Sequence, residues 1–341
     1  MSLNRGGGEE RAAHHRPGGG YRIPWPMPAA EREAGRAGGL WRWLWERLRR
    51  RPPPNPPPGS IPRVTPDPVC ARVFGVLRLT WVGHSTFLVQ QGGLNVLTDP
   101  VWSRRASPVR WVGPARLVPP GLAYEALPSI DAVLISHDHY DHLDAGTVRR
   151  LARDHGAARW FTPLGYGRWL HKRGVTRVTE LDWWEEAVLE TERGRLALMA
   201  LPAQHWTRRK PWDGYDRLWS AWRVEGGGQS LLFGGDSGYF AGYADIGRRA
   251  GPFSATLLPI GAYAPRWFMR LAHMDPEEAV RAYRDLGGTG AFVAMHWGTF
   301  RLSDEAPLEP PERLRAAWSE AGLPPGDLWI PRIGESRSIT A

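Results

Sequence analysis

Short apolar runs recur along the chain from residue 73 onward, and most of them end at glycine, proline or an ionisable residue. Their length and their β-branched and aromatic content predict strands at residues 76–82, 85–90, 95–98, 132–135, 159–162, 175–181, 195–201, 230–235 and 291–295. Helical periodicity predicts helices at residues 145–155 and 165–174. This alternation of strands and helices predicts an α/β fold.

Another helix is predicted nearer the start, at residues 40–50. Trp41, Leu44, Trp45 and Leu48 recur at the spacing of one helical face, and arginines occupy most of the other positions. An apolar stripe flanked by arginines suits the surface of an anionic membrane. The same stripe could pack on the main domain, and the two interpretations can hold together. Residues 51–58 follow as a proline-rich, semi-rigid linker.

Four potential metal ligands follow directly on the predicted strand at residues 132–135. His137, His139, Asp141 and His142 arrive within six residues, and a continuing strand would point them to opposite faces. The strand must therefore end, and a turn must gather the four side chains. Imidazole and carboxylate are ligands of zinc and similar divalent ions. The stretch predicts a metal-binding loop rather than a solvated loop of histidine and aspartate.

Three more predicted strands each end in one side chain of the same kind, namely His205, Asp236 and His296. Seven ligands are too many for one tetrahedral zinc ion, but they suit two ions about 3.5–4 Å apart that share a carboxylate. Asp99, at another strand end, is expected to orient the metal loop. His84 is expected in that supporting shell or in packing. The histidines not expected to bind metal are His14, His15, His155 and His171.

Composition narrows the choice of partner and compartment. The chain has 341 residues, a formal net charge of +9 and 19 tryptophans, some of which we expect at an interface. A basic surface suits nucleic acid, an anionic membrane or a phosphorylated substrate, or it reflects only an arginine-rich proteome. The single cysteine, Cys70, excludes an intramolecular disulfide and fits a reducing compartment. Without a signal-peptide pattern or an apolar run of membrane-spanning length, we expect a cytoplasmic protein with peripheral membrane contact.

The order and type of the ligand residues resemble the metal-binding signature of the metallo-β-lactamase superfamily. The resemblance implies a four-layer αββα sandwich with the site at the edge of its two sheets. The ligand sets that it implies are His137, His139 and His205 for one zinc ion, and Asp141, His142 and His296 for the other, with Asp236 bridging. Residues 1–20 are then expected to be a disordered tail, residues 21–72 an N-terminal extension and residues 73–341 the hydrolase domain.

Further motifs are similar to the phospholipase D family that hydrolyses N-acylphosphatidylethanolamines. They are residues 24–26, 98–100, 105–108, 113–114, 181–186, 204–206, 235–236, 258–263, 265–269, 273–280, 296–300 and 334–337. The resemblance implies that a hydroxide held by two zinc ions attacks phosphorus and releases phosphatidic acid and an N-acylethanolamine. It assigns catalytic roles to Asp141, Asp236 and His273, and it places Tyr140 and His273 beside the substrate phosphate. It also implies a homodimer that binds anionic membranes peripherally.

Two other functions stay open within the superfamily. The Gly-His-Ser turn at residues 83–85 also occurs in the branch of lactonases and cyclic phosphodiesterases, which act on small soluble molecules. A ribonuclease fits the basic charge, but His296 follows Asp236 by only 60 positions, which leaves no room for the inserted domain of the RNA-cleaving branch. We therefore expect a phospholipid partner and no nucleic acid. Asp138, where the mammalian enzyme has asparagine, is expected to alter the charge of the site.

Overall fold

Two seven-stranded sheets lie face to face in the computed structural model, which describes residues 12–26, 37–210 and 212–340. The strands are β1 (Leu77–Gly83), β2 (Thr86–Gln91), β3 (Leu94–Thr98), β4 (Ala132–Leu134), β5 (Arg159–Pro163), β6 (Val178–Leu181), β7 (Glu186–Thr191), β8 (Gly194–Leu201), β9 (Ala221–Gly226), β10 (Gln229–Phe233), β11 (Ala255–Pro259), β12 (Ala291–Met295), β13 (Leu328–Trp329) and β14 (Ser336–Ile339). The helices are α1 (Ala37–Arg49), α2 (Ala145–Asp154), α3 (Gly167–His171), α4 (Gly242–Ala250), α5 (Arg266–Met269), α6 (Pro276–Asp285) and α7 (Glu309–Glu320). Helices flank the paired sheets, which confirms the predicted αββα sandwich.

The first sheet has the strand order β14-β1-β2-β3-β4-β5-β6 and is apolar on both faces. In β4, Ala132 and Leu134 belong to the core between the sheets, whereas Val133 belongs to the core under the outer helices. Val148 of α2 and Leu170 of α3 pack in that outer core. Because both faces are covered, the strand appears in the sequence as a continuous apolar run rather than as an alternating one.

The second sheet has the order β13-β12-β11-β10-β9-β8-β7, and α4, α6 and α7 contribute to the core on it. Its strands β10 to β13 run parallel, as do β3 to β6 of the first sheet. Hydrogen bonds join the two sheets near the carboxyl end of β4. Ser220 N donates to Ser136 O at 3.0 Å, and Trp222 Nε1 donates to Ile135 O at 2.9 Å. The strand ends that carry the predicted ligands therefore meet at one edge.

Several predicted elements have other ends than the observed ones, and helices α4, α5 and α7 and strands β13 and β14 were not predicted. The helix predicted at residues 165–174 forms only over α3, because Gly165 and Gly174 adopt positive φ angles of 99° and 91° and stop the helix on either side. The strand predicted at residues 175–181 begins at Val178. Strands β7, β9 and β11 are not among the predicted ones, and each gains its hydrogen bonds from neighbours distant in sequence or across a hairpin.

The segment formed by residues 12–26 packs on the main domain. His14 is only 6% exposed, and the Nε2 atoms of His14 and His15 each lie 2.6 Å from a different oxygen of Asp182. Tyr21 N donates to Tyr215 O at 2.8 Å. The predicted disordered tail is thus replaced over residues 12–20 by an ordered segment, because its polar side chains find fixed partners that composition does not reveal. Residues 1–11 of that predicted tail lie outside the described residues.

Helix α1 contacts the domain through polar groups. Trp43 Nε1 donates to Asp304 Oδ2 at 2.5 Å, and Trp267 Nε1 donates to Glu46 Oε2 at 3.1 Å. The apolar stripe stays at the surface, with its members at least 38% exposed: Trp41, Leu44, Trp45 and Leu48. The helix therefore does not use its apolar stripe to pack on the described part of the domain. No helix among the described residues is long and apolar enough to cross a membrane.

Candidate metal centre

The edge where the strand ends meet gathers all seven predicted ligands. The loop after β4 supplies four of them, and β8, β10 and β12 each lead to one more, at His205, Asp236 and His296. Six of the seven are buried, and His139 is partly buried. A buried cluster of polar groups needs partners for its charges and lone pairs. The arrangement therefore requires either dense hydrogen bonding or bound cations.

One group consists of His137, His139 and His205. The Nε2 atom of His137 lies 3.0 Å from Nδ1 of His139, and Nε2 of His205 lies 3.2 Å from the same Nδ1. Burial lowers the pKa of all three rings, to about 4 for His139 and about 3 for His205. Neutral imidazoles keep an unprotonated nitrogen, so three ring nitrogens that point at one another suit a shared cation.

A second group consists of Asp141, His142 and His296. Asp141 Oδ2 lies 3.3 Å from Nε2 of His142 and 3.5 Å from Nε2 of His296. Although burial opposes it, the nearby carboxylates of Asp236 and Asp141 raise the pKa of His296 to about 9. The same balance raises the pKa of His142 well above its ordinary value. Two carboxylates thus attract positive charge to this position, and a metal cation would satisfy them in place of protons.

Asp236 lies between the two groups. Its Oδ2 atom is 3.1 Å from Nε2 of His296 and 3.2 Å from Nε2 of His142. The same atom is 3.9 Å from Nε2 of both His137 and His205. One carboxylate oxygen therefore faces ligand atoms of both groups, as a bridging ligand must.

Several buried polar atoms of the cluster have no hydrogen-bond partner among the described residues. They are Nε2 of His139, His142 and His296, and Oδ1 of Asp236. Such orphaned atoms are costly unless something else satisfies them. The donor set consists of imidazoles and carboxylates, which are zinc-type ligands. The residues present therefore fit two divalent cations.

A supporting shell fixes the orientation of the ligands. Asp99 Oδ2 accepts from Nδ1 of His142 at 2.6 Å, and its Oδ1 accepts from Ser136 N at 2.7 Å. Nδ1 of His205 donates to the carbonyl of Ala272 at 3.0 Å. These contacts leave Nε2 of each histidine free to face the cluster. The predicted orienting role of Asp99 agrees with its position.

His84 is part of the same shell. It is buried, and its Nε2 lies 2.9 Å from Oδ2 of Asp141. His84, Asp99 and His296 adopt positive φ angles of 56°, 34° and 60°. Non-glycine residues rarely adopt this backbone conformation, and its cost is usually borne at functional sites. His84 therefore orients Asp141, in line with its predicted place beside the ligands.

Asp99→Asn is expected to lower the affinity for the bound metal about 10–100-fold, because His142 loses the carboxylate that orients it. Titration of the metal-free protein with zinc against a competing chelator measures this. Asp131→Asn is the matched control, since the Asp131 side chain near the start of β4 is only 7% exposed and accepts from Asn95 N at 2.8 Å. Equal affinities for the Asp99 variant and the control would contradict the orienting role.

A basic segment at residues 208–210 and 212–217 contacts the metal loop through hydrogen bonds and an ion pair. These contacts were not predicted from the sequence. Asp138 accepts from Nη1 of Arg217 at 2.8 Å and from Arg208 N at 2.9 Å. Nη1 of Arg209 donates to the carbonyls of Asp138 and Leu143 at 2.5 and 2.8 Å. The charge of Asp138 is therefore paired with Arg217. The cluster of four basic residues and two aspartates in this segment was the only signal in the sequence.

The two predicted substrate contacts, His273 and Tyr140, are both partly exposed to solvent. The side chain of His273 is 12% exposed, and its Nδ1 lies 3.8 Å from Oδ2 of Asp236. Burial lowers the pKa of His273 to about 3, so the ring is neutral. Tyr140 is partly exposed, packs with Phe300, and donates its hydroxyl to the carbonyl of Arg209 at 2.7 Å. His273 therefore adjoins the centre through Asp236, and Tyr140 is tied to residue 209.

Comparison with known proteins agrees with this architecture. Residues 94–297 match the protein family described as Beta-lactamase superfamily domain. The chain is 47% identical over 245 residues to an uncharacterised protein of Mycobacterium tuberculosis, over 71% of this chain and 64% of that protein. It therefore spans less than two thirds of the length of that relative.

Two further similarities concern named proteins. The chain is 40% identical over 243 residues to N-acyl-phosphatidylethanolamine-hydrolyzing phospholipase D 1 of Caenorhabditis elegans, over 69% of this chain and 68% of that protein. The structure of Igni18, a metallo hydrolase from Ignicoccus hospitalis, superposes with a TM-score of 0.60 at 24% identity, over 78% of this chain and 99% of that one. The latter likeness concerns the fold alone. Family match, fold and ligand order agree, and the chain belongs to the β-lactamase superfamily domain family.

Proposed function

We propose that this protein is a metal-dependent phosphodiester hydrolase of the phospholipase D type that acts on N-acylphosphatidylethanolamine or a related glycerophospholipid. The observation that carries the proposal is the single carboxylate oxygen of Asp236, which faces both ligand groups at 3.1–3.9 Å. A centre with two cations suits in-line attack on a phosphodiester. The similarity to the Caenorhabditis elegans enzyme supports the choice of lipid.

The residues that would hold the cations are those that the sequence predicts. His137, His139 and His205 would hold one cation and Asp141, His142 and His296 the other, and Asp236, whose Oδ2 atom faces both sets, would contribute to both. Zinc is the cation that we propose, because imidazole nitrogens and carboxylate oxygens are its usual ligands. When bound, two such ions supply activation of the attacking water and neutralisation of the negative charge on the phosphate.

Residues at the open side would bind and orient the substrate. Nδ1 of His273 has no hydrogen-bond partner among the described residues, and the carbonyl of His273 accepts from Nη1 of Arg266 at 2.8 Å, which fixes the backbone. A neutral ring that carries its proton on Nδ1 can donate to a phosphate oxygen. Tyr140 can donate its hydroxyl likewise if it exchanges Arg209 O for the substrate. Preorganised donors of this kind stabilise the charge that develops in the transition state.

The exposed stripe of α1 would bring the protein to its substrate. Trp41, Trp45 and Leu48 are 52–82% exposed, while the polar edge of the same helix is held by the domain. The guanidinium of Arg49 lies 3.7 Å from the ring centre of Trp45. Tryptophan and arginine side by side suit the interface of an anionic membrane. We thus propose a cytoplasmic protein that binds membranes peripherally. The homodimer and the absence of a nucleic-acid partner stay predictions.

The test is mass spectrometry of the products formed from N-acylphosphatidylethanolamine in mixed micelles by protein of measured metal content. We expect N-acylethanolamine and phosphatidic acid, formed only when about two zinc ions are bound per chain, and no product after EDTA treatment. Intact lipid in the presence of bound metal would contradict the substrate. Turnover of soluble lactones or cyclic phosphodiesters would then favour that branch, and salt-sensitive RNA cleavage would favour a ribonuclease.

A further inference from the structure

We propose that two tryptophan-tipped loops beside the centre, one at residues 106–114 and one at residues 209–210 and 212–213, insert into the same anionic bilayer that α1 contacts. This rests on the proposed lipid substrate, because its purpose is to hold the opening of the centre against the membrane. Large apolar side chains that are more than one-third exposed occur at few places among the described residues. Outside α1 they are Phe74, Trp111, Val112 and Trp212. Three of those four lie on the two loops.

The base of the first loop packs in the apolar cluster that also holds Tyr140, and we call this cluster one wall of the opening. That base is closed by the hydrogen bond from Ala106 N to Pro114 O at 3.0 Å. Ala106 packs in one apolar cluster with Phe300 and Tyr140, so the base adjoins the predicted substrate contact. The tip carries Trp111, which is 78% exposed, beside the exposed side chain of Arg110.

The second loop contacts the same Tyr140 side chain through Arg209. Arg209 O accepts from the Tyr140 hydroxyl at 2.7 Å, and the Arg209 guanidinium lies 4.2 Å from the Tyr140 ring centre. The turn is held internally by Asp213 Oδ1, which accepts from the backbone nitrogens of Arg209 and Lys210 at 2.8 and 2.6 Å. Trp212 projects from it and is 77% exposed.

Helix α1 is linked to the same apolar cluster as the two loops. Leu302 shares the apolar cluster of Tyr140 and Phe300, and Asp304, two residues on, accepts from Trp43 of α1. The two loops and the helix are therefore linked to one wall of the opening through direct contacts. Each of the three carries at least one exposed indole, namely Trp111, Trp212 and, on the helix, Trp41 and Trp45.

Charge favours a bilayer over a protein partner. Each of the three tips pairs an indole with a cation: Arg49 lies over Trp45, Arg110 adjoins Trp111, and Lys210 lies 5.7 Å from the Trp212 ring centre. The one carboxylate in the second loop, Asp213, is buried and engaged by backbone nitrogens. Indoles prefer the depth of lipid headgroups, and arginine and lysine are attracted to anionic ones.

The test measures partition of the metal-loaded full chain onto vesicles of phosphatidylcholine and phosphatidylglycerol, which requires no turnover. We expect Trp111→Ser and Trp212→Ser each to weaken partition about tenfold, as Trp45→Ser does, because each removes one buried indole. Phe74→Ser is the matched control. Phe74 is 67% exposed, but it lies against Gly93 in the hairpin between β2 and β3, at the far end of β2 from His84.

Unchanged partition of both loop variants alongside a loss for Trp45→Ser would overturn the proposal, and so would an equal loss for Phe74→Ser. Depth is measured separately with a spin label on Trp111→Cys or Trp212→Cys in a Cys70→Ser chain, which then holds a single thiol. Labels at both loops that become shielded in the headgroup region support insertion. Labels that stay accessible to solvent on vesicles, and become shielded only when a second protein is added, would overturn the proposal. Since neither measurement uses hydrolysis, failure of the proposed reaction leaves the result interpretable.

Discussion

Asp236→Asn is expected to lower hydrolysis of N-acylphosphatidylethanolamine by about a thousandfold or more, because one neutral amide replaces the carboxylate that faces both ligand groups. Loss of several kcal/mol of transition-state stabilisation corresponds to that factor. The amide conserves the size of the side chain, so the fold should persist. Product formation in mixed micelles and metal content per chain are the two measurements, and we expect both to fall.

Asp131→Asn serves as the control for a buried carboxylate whose loss leaves the centre intact. Its carboxylate lies at the opposite end of β4 and accepts from Asn95 N. Activity in the Asp236 variant comparable to that of the control would exclude the bridging role. Loss of activity with unchanged metal content would keep a catalytic role for Asp236 but deny that it binds the cations.

Arg217→Met is expected to destabilise the fold by about 3 kcal/mol, the cost of leaving a buried carboxylate without its ion-pair partner. Asp138 is fully buried, and Nη1 of Arg217 lies 2.8 Å from its Oδ2 atom. The free energy of unfolding from urea denaturation measures the effect. Metal affinity should fall as well, because Asp138 lies between the ligands His137 and His139.

The double variant Asp138→Asn with Arg217→Met separates the ion pair from other effects. It removes both charges, so we expect it to be more stable than Arg217→Met alone. Arg193→Met is a matched control, because the side chain of Arg193 is 60% exposed and its Nη1 atom lies 3.6 Å from Oδ1 of Asp131. If the double variant loses as much free energy of unfolding as Asp138→Asn and Arg217→Met lose together, the two residues have no coupling energy.

Much of the centre could be predicted because its ligands lie at strand ends. An apolar strand followed at once by histidine or aspartate is visible in the sequence, and parallel strands bring their carboxyl ends to one edge. The predicted ligands His205, Asp236 and His296 come together for this reason, although long stretches of chain separate them. The apolar runs of β4, β10 and β12 similarly determine which strands are buried.

Other features depend on contacts that leave no local pattern. The periodicity of α1 predicts a stripe but not the direction in which it faces, which is decided by hydrogen bonds from Trp43 to Asp304 and from Trp267 to Glu46. The order of residues 12–20 depends on Asp182, more than 160 residues away in the chain. Composition alone predicts disorder there, because it contains no information on the distant side chains that these residues contact.

The sequence by itself therefore determined the fold class, the metal loop and the set of side chains that meet at the edge of the sheets. It could do so because hydrophobic periodicity and ligand type are properties of neighbouring residues. The place of Asp236 between the two groups was implied by the family resemblance, whereas only the tertiary structure decided that Arg217 neutralises Asp138 and that Trp111 and Trp212 are exposed. Those outcomes depend on distances between residues remote in the chain, which only the packing of the two sheets and their loops sets.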